Sequence, residues 1–388
     1  TSAPVAGLHH ALMALAAAAA KGLTLSSLRR ARALWAEEVQ TVTLKELWGG
    51  KDAGQSDKVL FAQRTHRQLK VRIAHRLRDF LFLPYKALSD PAVRCLYDKY
   101  VATYNMHEDF RELRTTEDVA EYWAGLAETF VDHQNVISLL GIGRQRIIRL
   151  DAGLAEVYDN FLRRFFVSRI GTHLLGSAFF HQVPAPPGLK KPAGVAMGVL
   201  QPTNPYSLLA DLVSSFRSQY PEDLVPIDIQ GRADTSILYV PNHLFGILRE
   251  VLQNALRASA ARAEAGTPSP ISVRLSHSQL GMFVIVSDTA GGVADVEKVW
   301  QWGEDPTLIE RAPDEKDEWE DPAALFAEAD LHPKRTAVLP LGFGLPLARL
   351  TARYFGGDLR LQTVVGHGTN AYIHIPELQE EGDFPVSL

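Results

Sequence analysis

Cysteine is nearly absent: the 388 residues hold one, Cys95. A single thiol excludes an internal disulfide and any cysteine-based zinc cluster, and Cys95 reads as a small core residue. Long apolar runs are missing as well. The longest, "LMALAAAAA" from Leu12 to Ala20, falls far short of the roughly 20 residues that cross a bilayer, so no transmembrane segment is expected. Nor is there an excess of positive charge. The formal net charge of −5 argues against a general nucleic-acid binder. Methionine is missing from the first position, where Thr1 stands, which is consistent with either a removed presequence or a trimmed start. No internal repeat is visible.

What is present is a globular composition, 46% hydrophobic and 22% charged, in a chain longer than one core usually organises. Two domains are therefore expected. Up to about Phe180 prolines are few and apolar residues recur at helical spacing. The pattern predicts helices over "SSLRRARALWAEEVQ", "DKVLFAQRTHRQLKVRIAHRLRDFLF", a stretch after "LSDP", "TEDVAEYWAGLAETFVDHQNVISLLGIGRQRII" and "AGLAEVYDNFLRRFFVSRIGTHLLGSAFF", together a helical bundle. Four prolines in "HQVPAPPGLKKPAG" then end the helical text.

Beyond Gly194 strands and helices mix. "ISVRLSHSQL" and "GMFVIVSD" predict a hairpin turning near Ser278 to Gly281, and "DLRLQTVV" and "TNAYIHIP" predict a second around "GHG". "LPLARLTARYF" reads as a helix closed by Gly356 and Gly357. This texture is α+β rather than βαβ. Between the hairpins lies an acidic, proline-containing stretch, about residues 303–341, that reads as a long mobile loop.

Four short pieces carry chemistry. In "REVLQNALRA", Glu250, Asn254 and Arg257 share a stripe beside the apolar face of Leu248, Val251, Leu252 and Ala255. An Asn amide oxygen suits Mg²⁺, and a carboxylate one turn away can activate a hydroxyl; alone, such a stripe is ordinary solvated surface. In "VSDTAGGV", Asp288 at a strand end can accept a hydrogen bond from an exocyclic amine, with Gly291 and Gly292 allowing close approach; alone, it is an Asx turn. In "PLGFGLPLARL", Gly342 and Gly344 loosen a helix start whose free N–H groups can cradle phosphate. In "GHGTNAYIHI", Thr369 opens the last strand.

In that order the four resemble the ATP-binding boxes of the GHKL superfamily of gyrases, histidine kinases and their relatives. "VRIAHRLRDFLFLPY", "DHQNVISLL", "FFVSRIG", "REVLQNALRAS", "SDTAGGV" and "GFGLPLARLTARYFGGDLRLQTVVGHGTNAYI" narrow the resemblance to the mitochondrial 2-oxo-acid dehydrogenase kinases, which act on the pyruvate or branched-chain complexes. The resemblance runs from about Leu25 to Pro376. It implies an α+β chain with a four-helix bundle (residues 1–185) followed by a Bergerat-type α/β sandwich (residues 186–388), and a lid at about 303–341. It also implies a serine kinase of the mitochondrial matrix that uses ATP and Mg²⁺, with K⁺ a further candidate. The implied partners are the decarboxylase component, the lipoyl domain of the acyltransferase core and a second copy of the chain.

Carried over by motif, Glu250 is the general base and Asn254 the Mg²⁺ ligand. Arg257 reaches phosphate, Asp288 binds adenine and Gly292 lines the nucleotide. Gly342, Phe343, Gly344 and Leu345 cover the phosphates, while Thr369 supports the adenine end. "VRIAHR" and "SRIG", with a sequence that stops at "EEGDFPVSL", lean toward the branched-chain kinase. Two departures stand out. Gln253 replaces the usual lysine, and Thr289 with Ala290 interrupts a run normally richer in glycine; a left-handed backbone at Ala290 would cost about 1 kcal/mol. They motivate a noncatalytic regulator as one alternative. His133 in the bundle motivates another, a two-component-type histidine kinase, although a structural role is favoured there.

Overall fold

The computed structural model describes residues 25–40, 47, 55–110, 112–195, 198–303 and 342–378. The chain forms two compact units that divide between Ala193 and Gly194. The first is helical and the second carries the sheet, so the fold class is α+β.

The helical unit contains α1 (Leu25–Leu34), α2 (Gln55–Leu81), α3 (Tyr85–Leu88), α4 (Pro91–Asp109), α5 (Thr116–Asp132), α6 (Val136–Leu150) and α7 (Ala155–Gln182). Local chemistry sets their starts. Asp90 caps α4 by accepting from the N–H groups of Ala92 (2.9 Å) and Val93 (3.3 Å), with Pro91 in the first turn where its missing N–H costs nothing. Thr115 and Asp118 form a reciprocal capping box on α5. The long helices close on an aromatic core in which Phe80 of α2 meets Tyr97 and Tyr100 of α4 and Phe161 and Phe165 of α7. A bidentate pair, Arg144 to Asp159 at 2.6 and 3.0 Å, ties α6 to α7.

One predicted helix is two. The stretch from Thr116 to Ile148 breaks at His133, Gln134 and Asn135, between α5 and α6. Side chains supply the reason: Lys99 donates to the Asp132 carbonyl (2.9 Å) and Arg169 to the His133 carbonyl (2.9 Å), taking acceptors that a continuous helix would have used. The predicted first helix also stops early, at Leu34, and residues 152–154 form a 3₁₀ turn ahead of α7.

The second unit has the five-stranded order β2-β4-β5-β7-β6, from β2 (Ile227–Gln230), β4 (Ile271–Ser278), β5 (Gly281–Asp288), β6 (Asp358–Val364) and β7 (Gly368–Ile375), with β1 (Gln201–Thr203) and β3 (Ile237–Tyr239) paired apart. Both predicted hairpins form. β2 against β4 is parallel, a pairing the α+β reading did not include, and the helix α9 (Pro241–Glu264) lies in the connection between them. With α8 (Pro205–Phe216) and α10 (Gly344–Tyr354) it completes a helical layer. Val273, Val284, Val286, Leu359, Ile373 and Ile375 of the strands are buried, as are Leu248, Val251, Leu252 and Leu256 of α9. Alternation leaves Arg274, Ile285, Tyr372 and Arg360 in register across the opposite face.

α9 holds one glycine, Gly246, in its second turn. In a helix interior glycine costs about 1 kcal/mol relative to alanine.

Candidate nucleotide-binding site

α9 carries Glu250, Asn254 and Arg257 along one stripe because its apolar residues, packed inward, fix the rotation of the helix. Glu250 is half-buried. Burial raises its pKa above the ordinary carboxylate value, while the charges of Arg249 and Arg257 pull in the other direction. Asn254 Nδ2 donates to the Glu250 backbone carbonyl at 2.8 Å. That bond orients the amide and leaves its oxygen as the group available to a cation. Among the described residues no cluster of three or more His, Cys, Asp or Glu could hold a metal. The donor set therefore fits an ion held by one protein oxygen, with phosphate oxygens and water as its other ligands, which is Mg²⁺ chemistry. Arg257 is exposed, and Gln253 half-buried beside Asn254.

The start of α10 comes directly to Glu250. A Cβ built on Gly344 would stand 3.0 Å from Glu250 Cδ and would overlap Oε2. Gly342 has φ +64°, a left-handed conformation that favours glycine. Phe343 is buried, its ring edge-on to Trp302 at 5.3 Å, and the Gly303 N–H donates to the Gly342 carbonyl at 3.0 Å. Leu345 is half-buried in the first helical turn. Apart from Gly303, the expected lid at about 303–341 lies outside the described residues.

At the other end, Asp288 and Thr369 are partners in the β5–β7 ladder. The Ala290 N–H donates to Asp288 Oδ1 at 2.9 Å, so the Asx turn is real. Burial raises the Asp288 pKa, and backbone bonds from Ala290 and Thr369 oppose the rise. Left-handed backbone falls at Gly291 (φ +98°) and Gly292 (φ +73°), and among the described residues no other residue type has positive φ. The strain foreseen at Ala290 is therefore absent. Gly292 sits against Thr363 Oγ1 and the Val364 carbonyl, which leave no room for a Cβ.

The structure thus brings the predicted residues together in two groups, Glu250 with Gly344 and Asp288 with Thr369 and Gly292. Residues that sequence reasoning missed surround the second. Thr363 Oγ1 accepts from the Val293 N–H (2.7 Å) and lies 3.3 Å from Thr369 Oγ1. The signal was present, because the "GHG" turn sets Thr363 opposite Thr369. Ser269 links Ser259 of α9 to Thr289 by hydroxyl contacts of 3.2 Å each. Arg262 Nη1 would be 3.0 Å from a Cβ on Gly291. No local sequence pattern marks these three contacts.

His133 is in the helical unit, buried, with Nε2 3.0 Å from Thr103 Oγ1 and its ring 4.8 Å from that of Tyr100. Desolvation pushes its pKa down to about 4. It borders a cavity of about 30 Å³ that is also lined by Tyr100, Thr103, His107 and Arg169. A ring so enclosed is a poor phosphate acceptor.

Residues 41–181 match the family described as mitochondrial branched-chain alpha-ketoacid dehydrogenase kinase. Residues 239–379 match the family described as histidine kinase-, DNA gyrase B- and HSP90-like ATPase. The chain is 26% identical to a mitochondrial pyruvate dehydrogenase (acetyl-transferring) kinase of Arabidopsis thaliana over 85% of its own length and 88% of the relative's. It is 30% identical to the Schizosaccharomyces pombe kinase of the same description over 65% and 58%, and 25% identical to isozyme 1 of Mus musculus over 86% and 76%. With helical and ATPase matches in this order and relatives that span both units, the chain belongs to the mitochondrial 2-oxo-acid dehydrogenase kinase family of the GHKL superfamily.

Proposed function

We propose that the chain is an ATP-dependent protein serine kinase of the mitochondrial matrix that phosphorylates the decarboxylase component of a 2-oxo-acid dehydrogenase complex. The observation that carries this reading is the seating of the Glu250 carboxylate against Gly344, one helical turn from Asn254. In the reaction the seryl Oγ bonds to the γ-phosphorus of ATP while the bond to the β-phosphate oxygen breaks and ADP leaves. The hydroxyl proton passes to Glu250. Positioning and charge stabilisation do most of the work in such transfers. Mg²⁺, held by Asn254, would neutralise phosphate charge as it develops. Arg257 adds a cation on the same stripe, and Asp288 with Thr369 holds the adenine. Gly292 lines the nucleotide, and the N–H groups from Gly342 to Leu345 meet the phosphates. ATP and Mg²⁺ are the cofactors we assign; K⁺ rests on the resemblance alone.

The helical unit, taken as residues 1–185, is read as a four-helix bundle that docks the lipoyl domain. Its support is the packing of α2 on α4 and α7, and of α6 on α4 and α7. The sandwich, residues 186–388, is read as the dimerising half. Phe283 stacks on His374 at 4.6 Å on the sheet face away from the buried strand residues, and Tyr372 of that face is exposed. Both readings are ours by family.

Purified protein, labelled ATP and each of the two decarboxylase components test the proposal. The expected product is an acid-stable phosphoserine on one of them. Asn254→Ala should weaken Mg·ATP binding, and Glu250→Gln should lower turnover with binding retained. Binding to the complex without any transfer would instead identify a noncatalytic regulator.

A further inference from the structure

Thr289 belongs to one of the two departures from the family motif, and its side chain has a partner. Its Oγ1 lies 3.2 Å from Ser269 Oγ, and Ser269 donates to Ser259 Oγ of α9 at 3.2 Å. A hydroxyl carries one proton, so Ser269, having given its own to Ser259, accepts from Thr289. The chain of hydroxyls therefore runs from the adenine loop into α9. Ser259 and Ser269 are each 0% exposed, where the low dielectric strengthens a hydrogen bond. Ser269 is also held rigidly. It stands between Pro268 and Pro270, and a residue that precedes proline is confined to extended backbone. What this fixed post holds is the turn behind Asp288. The Ala290 N–H donates to Asp288 Oδ1 at 2.9 Å, and Thr289 is the residue that joins the two. A rotation of the Thr289 backbone would turn the carboxylate with it.

We propose that Ser269 is a positioning residue for adenine recognition, which acts through Thr289 to aim the Asp288 carboxylate and ties that turn to the helix carrying Asn254 and Glu250. This rests on the reading of Asp288 as the adenine ligand. An acceptor discriminates between bases only if its oxygen is held where an exocyclic amine will arrive, because a carboxylate free to swing can retreat from a keto group and lose the distinction. The hydroxyl chain supplies that restraint from outside the loop. It also sets the adenine end at a fixed place relative to α9, and hence to the metal and the base. Thr289 thus gives the loop a tether that glycine could not provide.

The test measures the Kd of the full chain for Mg·ATP and for Mg·ITP, in which a keto oxygen replaces the exocyclic amine. The variants are Ser269→Ala, Thr289→Val, the two combined, and Thr289→Ser. Thr289 is exposed, so its valine variant keeps the shape of the side chain at little risk to the fold. The expected result is a Kd for Mg·ATP raised roughly five-fold in each of Ser269→Ala and Thr289→Val, the size of one lost hydrogen bond, with that for Mg·ITP nearly unmoved. The double variant should be no weaker than either single one, since both cut the same chain. Thr289→Ser, which keeps the hydroxyl, should restore wild-type discrimination. Equal weakening toward the two nucleotides would overturn the inference, as a loop merely disturbed would give that result. So would wild-type affinity in Thr289→Val, or losses that add in the double variant. A wild type that binds Mg·ATP and Mg·ITP alike sinks the adenine reading of Asp288 itself, a different result from variants that match a discriminating wild type.

Discussion

The carboxylate of Glu250 occupies the place where a side chain on Gly344 would stand. Gly344 has ordinary helical backbone, so alanine is conformationally allowed there, and the group it would strike is the far end of a flexible chain. Gly344→Ala should fold, with Glu250 pushed aside and kcat lowered roughly 100-fold. Gly368→Ala is the contrast. Its Cβ would enter the Asp288 backbone carbonyl, which cannot swing away, so that variant should lose about 1–3 kcal/mol of stability. Thermal melts and transfer kinetics on the two variants separate the effects; equal losses of Tm would count against the distinction.

Burial of Glu250 sets a pH dependence. With Glu250 as the proposed base, activity should fall as the pH drops through its pKa, and that limb of kcat/KM should lie above the ordinary 4.5. Arg249→Gln removes a charge that lowers the pKa and should move the limb upward. A raised carboxylate pKa also costs stability once the pH exceeds the unfolded value. Glu250→Gln should therefore melt above wild type at neutral pH, and the gap should close below about pH 4.5. An acid limb below that value would refute the assignment.

His133 is bonded to Thr103, packed on Tyr100 and kept neutral by burial. His133→Gln should retain transfer of acid-stable phosphate to the partner protein, with a reduced Tm from the lost contacts. Acid-labile label on the wild-type chain that disappears in this variant would favour the histidine-kinase reading.

Trp302 pins Phe343 through an edge-to-face ring contact, worth about 0.5–1.5 kcal/mol beyond burial. Trp302→Ala should therefore loosen the residues that precede Gly344. The expected result is a higher Kd for Mg·ATP together with a Tm lowered by the loss of a buried ring, measured by titration and melting. Unchanged affinity would mean that this ring pair does not set the phosphate loop.

The sequence was most readable where one element carries its own signal. Asp90 and Pro91 announce the start of α4, and the "GHG" turn announces the β6–β7 hairpin. The Glu250 and Asn254 stripe is a matter of helical spacing alone. What stayed hidden depends on residues far apart in the chain. The break at His133 comes from Lys99 and Arg169 capturing carbonyls, and the Glu250–Gly344 contact joins residues nearly a hundred positions apart. β2 was hidden by its brevity: "IDIQ" gains its place only through parallel pairing with β4. The Ser259, Ser269 and Thr289 contacts likewise emerge only once α9 and the end of β5 are brought together.

The hydrogen bond from Gly303 to Gly342 has an evolutionary consequence. It holds Gly303 and Gly342 together at 3.0 Å. When two points of a chain are fixed in this way, the entropic cost of closing the stretch between them grows with the logarithm of its length, about 0.6 kcal/mol for each doubling. A change in the number of residues between Gly303 and Gly342 would therefore scarcely tax the sheet or the Glu250 helix, and kinases of this family can diverge in length there while α9 and α10 keep their places.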